Sequence, residues 1–510
     1  MSYTINDKTM IDELCEFEAT VQTEKEHLQA SFEAITLGDF PHPLDSDIIG
    51  ETGLLKKLTL EPDTIAYSNA GQLDKLWSEL LQKSILCLRY FDRREPFLNN
   101  SQKTIVAYGL EKLNDYHDRY TDFESLMYGA SSYYRDHVFH AIRVWLLGMF
   151  CLIQPMPKNE ENNKGAFISR LTLDGGADFP GNINFFEKIS MWTVIALCHD
   201  LGYPLEKADQ ILDKTRKMMK EFIPNPNIWN NFGYSGVQDN INEYILKFIS
   251  TKMKLHTEGT DTPDEQLEYV GRIQPKYYLK YAKSLEHFQH GIISAVIIYK
   301  MLLYFLESDF NLNDDYIYER EDARQFYIRR EILRSIASHT CPDAYNIHMT
   351  TFSSLLFMCD ELQEWGRKSW NELYTGLSDS SISLTIDHFE PDGISVKEEI
   401  NMKDIKDEQS IVQNIARVFK RQYSLYKTTF RDGQYTAKRD FDIVKEMVYT
   451  LSTKGASSRS ITVSFCLPSN GESKFTVDLS NLTKGEKKGF VDKIESSISN
   501  LLYGADLKIQ

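Results

Sequence analysis

Ile195-Ala-Leu-Cys-His-Asp-Leu-Gly-Tyr-Pro-Leu-Glu-Lys207 is the stretch around which the rest of the chain is organised. His199 and Asp200 follow apolar residues that recur at helical spacing, which predicts that His199 lies on the inward stripe of a helix. Gly202 and Pro204 predict that this helix ends or bends just after the pair. A buried carboxylate is costly unless positive charge meets it. The pair is therefore a metal ligand pair, a buried hydrogen-bonded His–Asp couple or an exposed dipeptide.

Four further polar residues interrupt apolar helical patterns elsewhere in the chain: His140, His290, His339 and Asp360. His140, for example, shares a helical stripe with Val144, Leu147 and Cys151. Each of these residues is ambiguous alone, since an isolated histidine is more often a core or surface residue than a ligand. Taken together with the central His–Asp pair, they form a candidate ligand set.

Composition and charge exclude several classes of protein. The chain has 510 residues, of which 42% are hydrophobic and 26% charged, as in globular proteins of two or three domains. The net charge of −17 argues against binding nucleic acid or an anionic membrane through overall electrostatics. Seven cysteines without C-x-x-C spacing fit a reducing cytoplasm. Neither a signal peptide nor an apolar run of about 20 residues occurs, so we expect a cytoplasmic protein that does not bind membranes.

Three regions are predicted for this mainly α chain. They are a helical extension (1–125), an all-α metal-binding core (126–375) and a small α+β domain (376–510). The last region contains β-branched segments with period-two alternation, and helical patterns are predicted near 409–427, 438–451 and 486–502. Between Asn414 and Lys445, eight basic residues are interleaved with aromatic ones. This stretch is either a nucleic-acid or nucleotide contact or the solvated face of a helix.

The ligand set resembles a known family. The order His140, His199-Asp200, His290, His339 and Asp360 is similar to the H…HD…H…H…D signature of the HD superfamily of metal-dependent phosphohydrolases. Local contexts agree as well: His140-Ala-Ile-Arg-Val144 is similar to H-S-x-x-V, Leu197-Cys-His-Asp-Leu-Gly202 to apolar-apolar-H-D-apolar-G, and Leu356-Phe-Met-Cys-Asp-Glu-Leu362 to the last motif. The resemblance covers residues 134 to 368.

Membership would imply hydrolysis of a phosphate ester, with a nucleotide as the favoured substrate, by a metal-activated hydroxide. The resemblance assigns a first divalent ion to His140, His199, Asp200 and Asp360. It assigns a second ion to His290 and His339, with Asp200 as the bridging catalytic carboxylate. We expect one or two ions of Mn, Fe, Mg, Zn, Co or Ni, and favour two. Imidazoles combined with carboxylates suit most of these metals.

Three residues near the ligands are further candidates. Arg135 and Lys207 are cations close to the ligands in sequence, and we predict that they contact substrate phosphate, with surface salt bridges as the alternative. Lys207 is thereby also counted among the catalytic candidates. His137 lies one helical turn before His140 and is a candidate proton donor to the leaving oxygen. Its alternative interpretation is a core histidine.

No substrate subgroup of the family is matched. Asp136 stands where cyclic-nucleotide phosphodiesterases have a histidine, and His137 where deoxynucleotide triphosphohydrolases have an arginine. We expect specificity to come from loop-like insertions at 155–184 and 223–284, including Asn225 to Gly236, that border the cavity. A homo-oligomer is compatible with the sequence. The alternative function is a non-catalytic metal- or nucleotide-sensing protein that regulates a partner through the C-terminal α+β domain.

Overall fold

Helices predominate in the computed structural model of this chain. It describes residues 3–31, 40–58, 70–93, 107–130, 134–153, 167–173, 183–223, 237–256, 268–307, 316–342, 350–367, 380–390, 393–402, 416, 442–451, 459–467, 474–482, 487–488, 490–494 and 506–509. None of the helices in these ranges is both long and apolar enough to cross a membrane. The prediction of a mainly helical chain is confirmed, but its sheets are more extensive than the small region expected.

In chain order the helices are α1 (Asp7–Glu16), α2 (Glu18–Ser31), α3 (Ser46–Ile49), α4 (Ala70–Arg93), α5 (Leu110–Ala130), α6 (Val138–Ile153), α7 (Phe167–Arg170), α8 (Phe185–Cys198), α9 (Tyr203–Met219), α10 (Val237–Ser250), α11 (Pro275–Glu286), α12 (His290–Met301), α13 (Arg320–Ser338) and α14 (Phe352–Leu362). A short 3-10 helix follows α12 at Leu303–Leu306.

Ten strands form two sheets in the described part of the chain. They are β1 (Tyr3–Ile5), β2 (Thr251–Leu255), β3 (Tyr269–Ile273), β4 (Ile317–Tyr318), β5 (Ser380–Glu390), β6 (Gly393–Met402), β7 (Asp442–Leu451), β8 (Arg459–Leu467), β9 (Lys474–Asp478) and β10 (Asp506–Ile509). The larger sheet has the order β1-β5-β6-β7-β8-β9-β10, in which β6–β7 and β9–β10 are parallel pairs. Strands β2, β3 and β4 form an antiparallel three-stranded sheet.

Helix α8, which carries the central His–Asp pair at its end, is enclosed by other helices. Its first turn is fixed by a capping box between Asn184 and Glu187. From residue 189 to residue 198 every side chain is buried. Helix α6 crosses it closely, because a Cβ on Gly148 would lie only 1.9 Å from the ring of Trp192. The indole of Trp192 in turn donates to the Trp145 carbonyl at 3.1 Å. These contacts fix the ligand-bearing helices α6 and α8 against each other.

The N-terminal residues connect the larger sheet to the helices. Strand β1 pairs with β5, and α1 begins two residues after β1 ends. Asp7, the first residue of α1, is fully buried and accepts hydrogen bonds from Arg143 Nε at 3.1 and 3.2 Å and from Trp365 Nε1 at 2.9 Å. This carboxylate therefore connects the N-terminal segment, which pairs with the larger sheet, to α6 and to the segment after α14. The domain boundaries at residues 125 and 375 stay predictions.

Two expectations about local structure are wrong. Residues 442–451 form strand β7 where a helix was predicted, because Lys445, Met447 and Tyr449 alternate inward between two neighbouring strands. Lys445 is buried 3.3 Å from Glu398 rather than solvated. The supposed loop at 223–284 contains α10, β2, β3 and α11. The Asn225 to Gly236 segment, the pattern at 409–427 apart from residue 416, and most of 155–184 lie outside the described residues.

Candidate metal centre

The six predicted ligands come together where five helices meet. His140 lies in the first turn of α6, while His199 and Asp200 directly follow α8. His290 opens α12, His339 directly follows α13, and Asp360 lies in the last turns of α14. The side chains of the ligands on or directly after α6, α8 and α13 are almost fully buried. Polar side chains at or near helix ends thus lie in an otherwise apolar interior.

Asp200 stands between two pairs of histidines. Its Oδ2 lies 3.3 Å from His199 Nε2 and 3.9 Å from His140 Nε2. Its Oδ1 lies 3.2 Å from His290 Nε2 and 3.6 Å from His339 Nε2. Each oxygen of one carboxylate therefore faces its own pair of imidazole nitrogens. Asp200 thus belongs to two of the residue groups that could hold an ion.

Asp360 adds a second carboxylate to one side of the cluster. Its Oδ1 lies 2.8 Å from His140 Nε2 and 3.9 Å from His199 Nε2. The Asp360 side chain is 35% exposed, in contrast with 8% for Asp200. The His140 half of the centre is thus the more accessible to solvent, through Asp360.

Two of the histidines are oriented by the backbone of their own helices. His199 Nδ1 lies 2.8 Å from the Ala196 carbonyl, and His339 Nδ1 lies 2.6 Å from the Ile336 carbonyl. A carbonyl can only accept, so Nδ1 carries the proton and Nε2 presents its lone pair in the neutral ring. Both Nε2 atoms are buried and make no hydrogen bond within the described residues. They are placed as metal ligands would be.

The other two histidines are oriented by side chains. His140 Nδ1 lies 2.5 Å from Gln363 Oε1, and the Gln363 amide is itself fixed by donation to the Trp365 carbonyl at 2.7 Å. His290 Nδ1 lies 2.6 Å from Glu206 Oε2, which also accepts from the His290 backbone N at 2.9 Å. Partners of this kind commonly hold metal-ligating imidazoles in one tautomer and orientation.

Charge in the cluster is concentrated on the carboxylates. Burial opposes ionisation of Asp200, but the charge of His199 and the close imidazoles of His290 and His339 hold its pKa well below the usual range. Burial likewise opposes protonation of His290, yet its bonds to Asp200 and Glu206 raise its pKa to about 9. The carboxylates thus remain ionised near neutral pH. They attract positive charge that either imidazolium or a bound cation can supply.

The residues fit a divalent ion. Ligand atoms of His140, His199 and Asp200, and separately those of Asp200, His290 and His339, lie within 4.8 Å of one another. Imidazole nitrogen mixed with carboxylate oxygen suits Zn, Fe, Co, Ni or Mn, whereas Mg prefers oxygen ligands alone. These buried groups could therefore hold a metal ion.

His137 lies beside the cluster rather than in a separate core. Its ring stacks on Tyr203 with 3.8 Å between centroids and is 6.2 Å from the ring of His140. Its Nδ1 lies 3.0 Å from the Tyr134 hydroxyl, and its backbone N donates to Glu124. Burial lowers the pKa of His137 well below the usual value. The ring is therefore neutral in the free protein at pH 7.

Both predicted phosphate contacts are engaged in ion pairs. Arg135 binds the two carboxylate oxygens of Glu364, one of them at 3.2 Å. Lys207 pairs with Glu206 and lies over the Tyr203 ring, 5.1 Å from its centroid. The salt-bridge alternative therefore describes the structure, and a phosphate contact by either residue stays a prediction.

Several residues around the ligands were missed by the sequence analysis. Gln363 and Glu206 hold two imidazoles, and Tyr203 covers the space between His137 and His290. The only sequence signal for Gln363 is its position three residues after Asp360, one turn along the same face. Glu206 had no such signal, because its partner lies 84 residues away.

Comparison with known proteins assigns this chain to no family. The chain matches no protein-family model, no curated protein and no solved structure. The geometry of the side chains alone therefore indicates a metal centre.

Proposed function

We propose that this chain is an HD-type metal-dependent phosphohydrolase acting on a phosphate ester, with a nucleotide as the favoured substrate class. One observation carries the proposal: a single buried carboxylate, Asp200, lies between four imidazoles whose Nε2 atoms point toward it. A purely structural His–Asp pair needs neither a second pair of histidines nor a second carboxylate. The nucleotide preference comes from the resemblance in sequence to the HD superfamily.

We assign the six ligands to two ion sites that correspond to the two halves of the centre. His140, His199, Asp200 and Asp360 would hold one divalent ion, and Asp200 with the two remaining histidines a second. Bound ions would supply positive charge for the phosphoryl oxygens and lower the pKa of an attacking water. The protein contributes fixed ligand orientation, because every imidazole has an acceptor at Nδ1. It also limits access of water, since the ligands on α6, α8 and α13 are buried.

His137, beside the ligands, would donate a proton to the leaving group. His137 has its Nδ1 engaged with Tyr134, which leaves Nε2 as the nitrogen available to a leaving oxygen. The neutral ring would have to gain a proton when the anionic substrate binds, which raises the pKa of a nearby imidazole. We expect His137→Ala to lower kcat while leaving metal content unchanged. Normal turnover in that variant would remove His137 from the mechanism.

Metal content and turnover test the proposal directly. Metals in the purified protein are measured by mass spectrometry. Phosphate release is then followed for nucleoside mono-, di- and triphosphates and cyclic nucleotides with Mn²⁺ or Mg²⁺ added. We expect stoichiometric metal and turnover of at least one nucleotide, both abolished in Asp200→Ala. Bound metal without turnover of any of these compounds would count against a hydrolase.

That outcome would favour the second candidate, a metal- or nucleotide-sensing regulatory protein. A specific contact supports it: Asp7 adjoins strand β1 of the larger sheet and binds both Arg143 on α6 and Trp365. Trp365 in turn accepts from Gln363, the partner of His140. A change at the ligands could therefore reach the sheet through hydrogen bonds. Metal-dependent protection of β1 and β5 in hydrogen exchange, without turnover, is the result expected for a sensor.

A further inference from the structure

Arg367 is a cation at the edge of the metal centre whose backbone is firmly placed. It follows Trp365, whose indole donates to Asp7 at 2.9 Å, and Gly366, whose carbonyl accepts from Arg143 at 3.3 Å. Gly366 has a φ of +70° and leaves no room for a Cβ, which would lie 2.8 Å from the Arg143 guanidinium. These contacts fix the direction in which the chain leaves α14. The position of the Arg367 Cα is therefore fixed.

The guanidinium of Arg367 lies close to the first ligand helix. Its Nη2 donates to the Asp136 carbonyl at 3.1 Å, and the Asp136 carboxylate accepts from the His140 backbone N, also at 3.1 Å. Arg367 thus lies beside the segment that begins the His140 half of the centre.

Of Arg135, Lys207 and Arg367, only Arg367 has no carboxylate partner within the described residues. Arg135 is matched by Glu364, and Lys207 by Glu206. Within the part of the chain that the structure describes, Arg367 binds only a neutral carbonyl, and its Nε is buried without a hydrogen bond. A buried guanidinium N–H without an acceptor costs free energy. An anionic ligand would supply the missing acceptor.

We propose that Arg367 is the residue that binds the substrate's phosphate group, through Nε and the adjacent Nη. This proposal rests on the proposed phosphohydrolase function and names its phosphate contact. A guanidinium edge matches two oxygens of a tetrahedral phosphate, which fits this role better than recognition of a base or sugar. The same phosphate chemistry is offered by a nucleotide and by a simple phosphate monoester. Arg367 would therefore serve both.

Inorganic phosphate is the probe for this contact. It is titrated by calorimetry into the full chain loaded with Mn²⁺, in the wild type and in Arg367→Gln and Arg367→Lys. We expect Arg367→Gln to bind phosphate about 10- to 100-fold more weakly, as for loss of charged hydrogen bonds, with unchanged metal content. Arg367→Lys keeps the charge but cannot make a bidentate contact. Its phosphate affinity should therefore lie between those of the wild type and Arg367→Gln.

Two matched variants serve as controls. Arg216→Gln removes a surface cation on α9, thirteen residues beyond Tyr203 and so about 20 Å along the helix, and should leave phosphate binding unchanged. Arg135→Gln tests the cation first predicted from sequence. A larger loss of phosphate binding in Arg135→Gln than in Arg367→Gln would overturn the proposal. So would wild-type affinity in an Arg367→Gln protein that keeps its metal and its thermal unfolding midpoint.

Turnover assays distinguish failure of the Arg367 proposal from failure of the proposed phosphohydrolase function. For a nucleotide that the wild type hydrolyses and for p-nitrophenyl phosphate, Arg367→Gln should raise KM by similar factors, because both present the same group. A rise confined to the nucleotide would assign Arg367 to another part of the substrate and overturn the proposal. If the wild type hydrolyses neither compound, the hydrolase function fails. Phosphate affinity then still decides whether Arg367 binds the anion.

Discussion

Removal of the Glu206 side chain should weaken one metal subsite and spare the other. Glu206 Oε2 is the acceptor for His290 Nδ1 at 2.6 Å and for the His290 backbone N at 2.9 Å. Among the ligands, this carboxylate contacts only His290, which faces Asp200 Oδ1 with His339. Loss of such a partner typically lowers metal affinity 10- to 100-fold, or about 1.4 to 2.7 kcal/mol. We expect that loss in Glu206→Ala.

The assay is a titration of metal-depleted protein with Zn²⁺ in competition with a chromophoric chelator. The wild type should bind two ions, and Glu206→Ala should show one unchanged and one weakened step. Glu206→Gln keeps an acceptor for Nδ1 and should lose less affinity. Lys207→Met removes the other partner of Glu206 and serves as the matched control, with both steps retained.

Three results would refute the reasoning about two subsites. They are a single binding step in the wild type, an equal loss in both steps of Glu206→Ala, and no loss in a folded Glu206→Ala protein. The variant also removes an acidic residue from the first turn of α9, which should cost stability of about 0.3 to 1 kcal/mol. Its thermal midpoint must therefore be measured alongside.

Further predictions concern the bridging ligand and stability. Asp200→Ala should lower occupancy of both ions, measured by mass spectrometry, and two ions retained would contradict bridging. Asp7→Ala leaves Arg143 buried without its carboxylate and should cost about 3 to 5 kcal/mol in urea unfolding; a change below 1 kcal/mol would be inconsistent with this ion pair. Burial lowers the His117 pKa from 6.5 to about 4. The contribution of His117 to stability should therefore fall by about 1.4 kcal/mol per pH unit as pH drops from 6.5 to about 4, and His117→Phe should reduce the slope of the whole protein by that amount.

The ligand helices were predictable because their periodicity is strong. Apolar residues at helical spacing surround His140 and His199, and the structure has helices α6 and α8 in those positions. The helix predicted at 438–451 is wrong for residues 442–451, where Met447 and Leu451 fit a helical repeat as well as a strand. Pairing with β6 and β8 decides that segment. Local pattern alone does not contain that information.

The sequence by itself determined the candidate ligand set. Helical spacing places His140 and His199 on inward-facing positions, and the resemblance to the HD signature adds Asp200 and Asp360. Only the tertiary structure decided that the two oxygens of Asp200 face different histidine pairs. It also decided that Glu206 holds a histidine 84 residues away. The physical reason is that spacing fixes the face of a helix on which a side chain lies. The crossing of helices, set by contacts such as Gly148 against Trp192, fixes what that side chain meets.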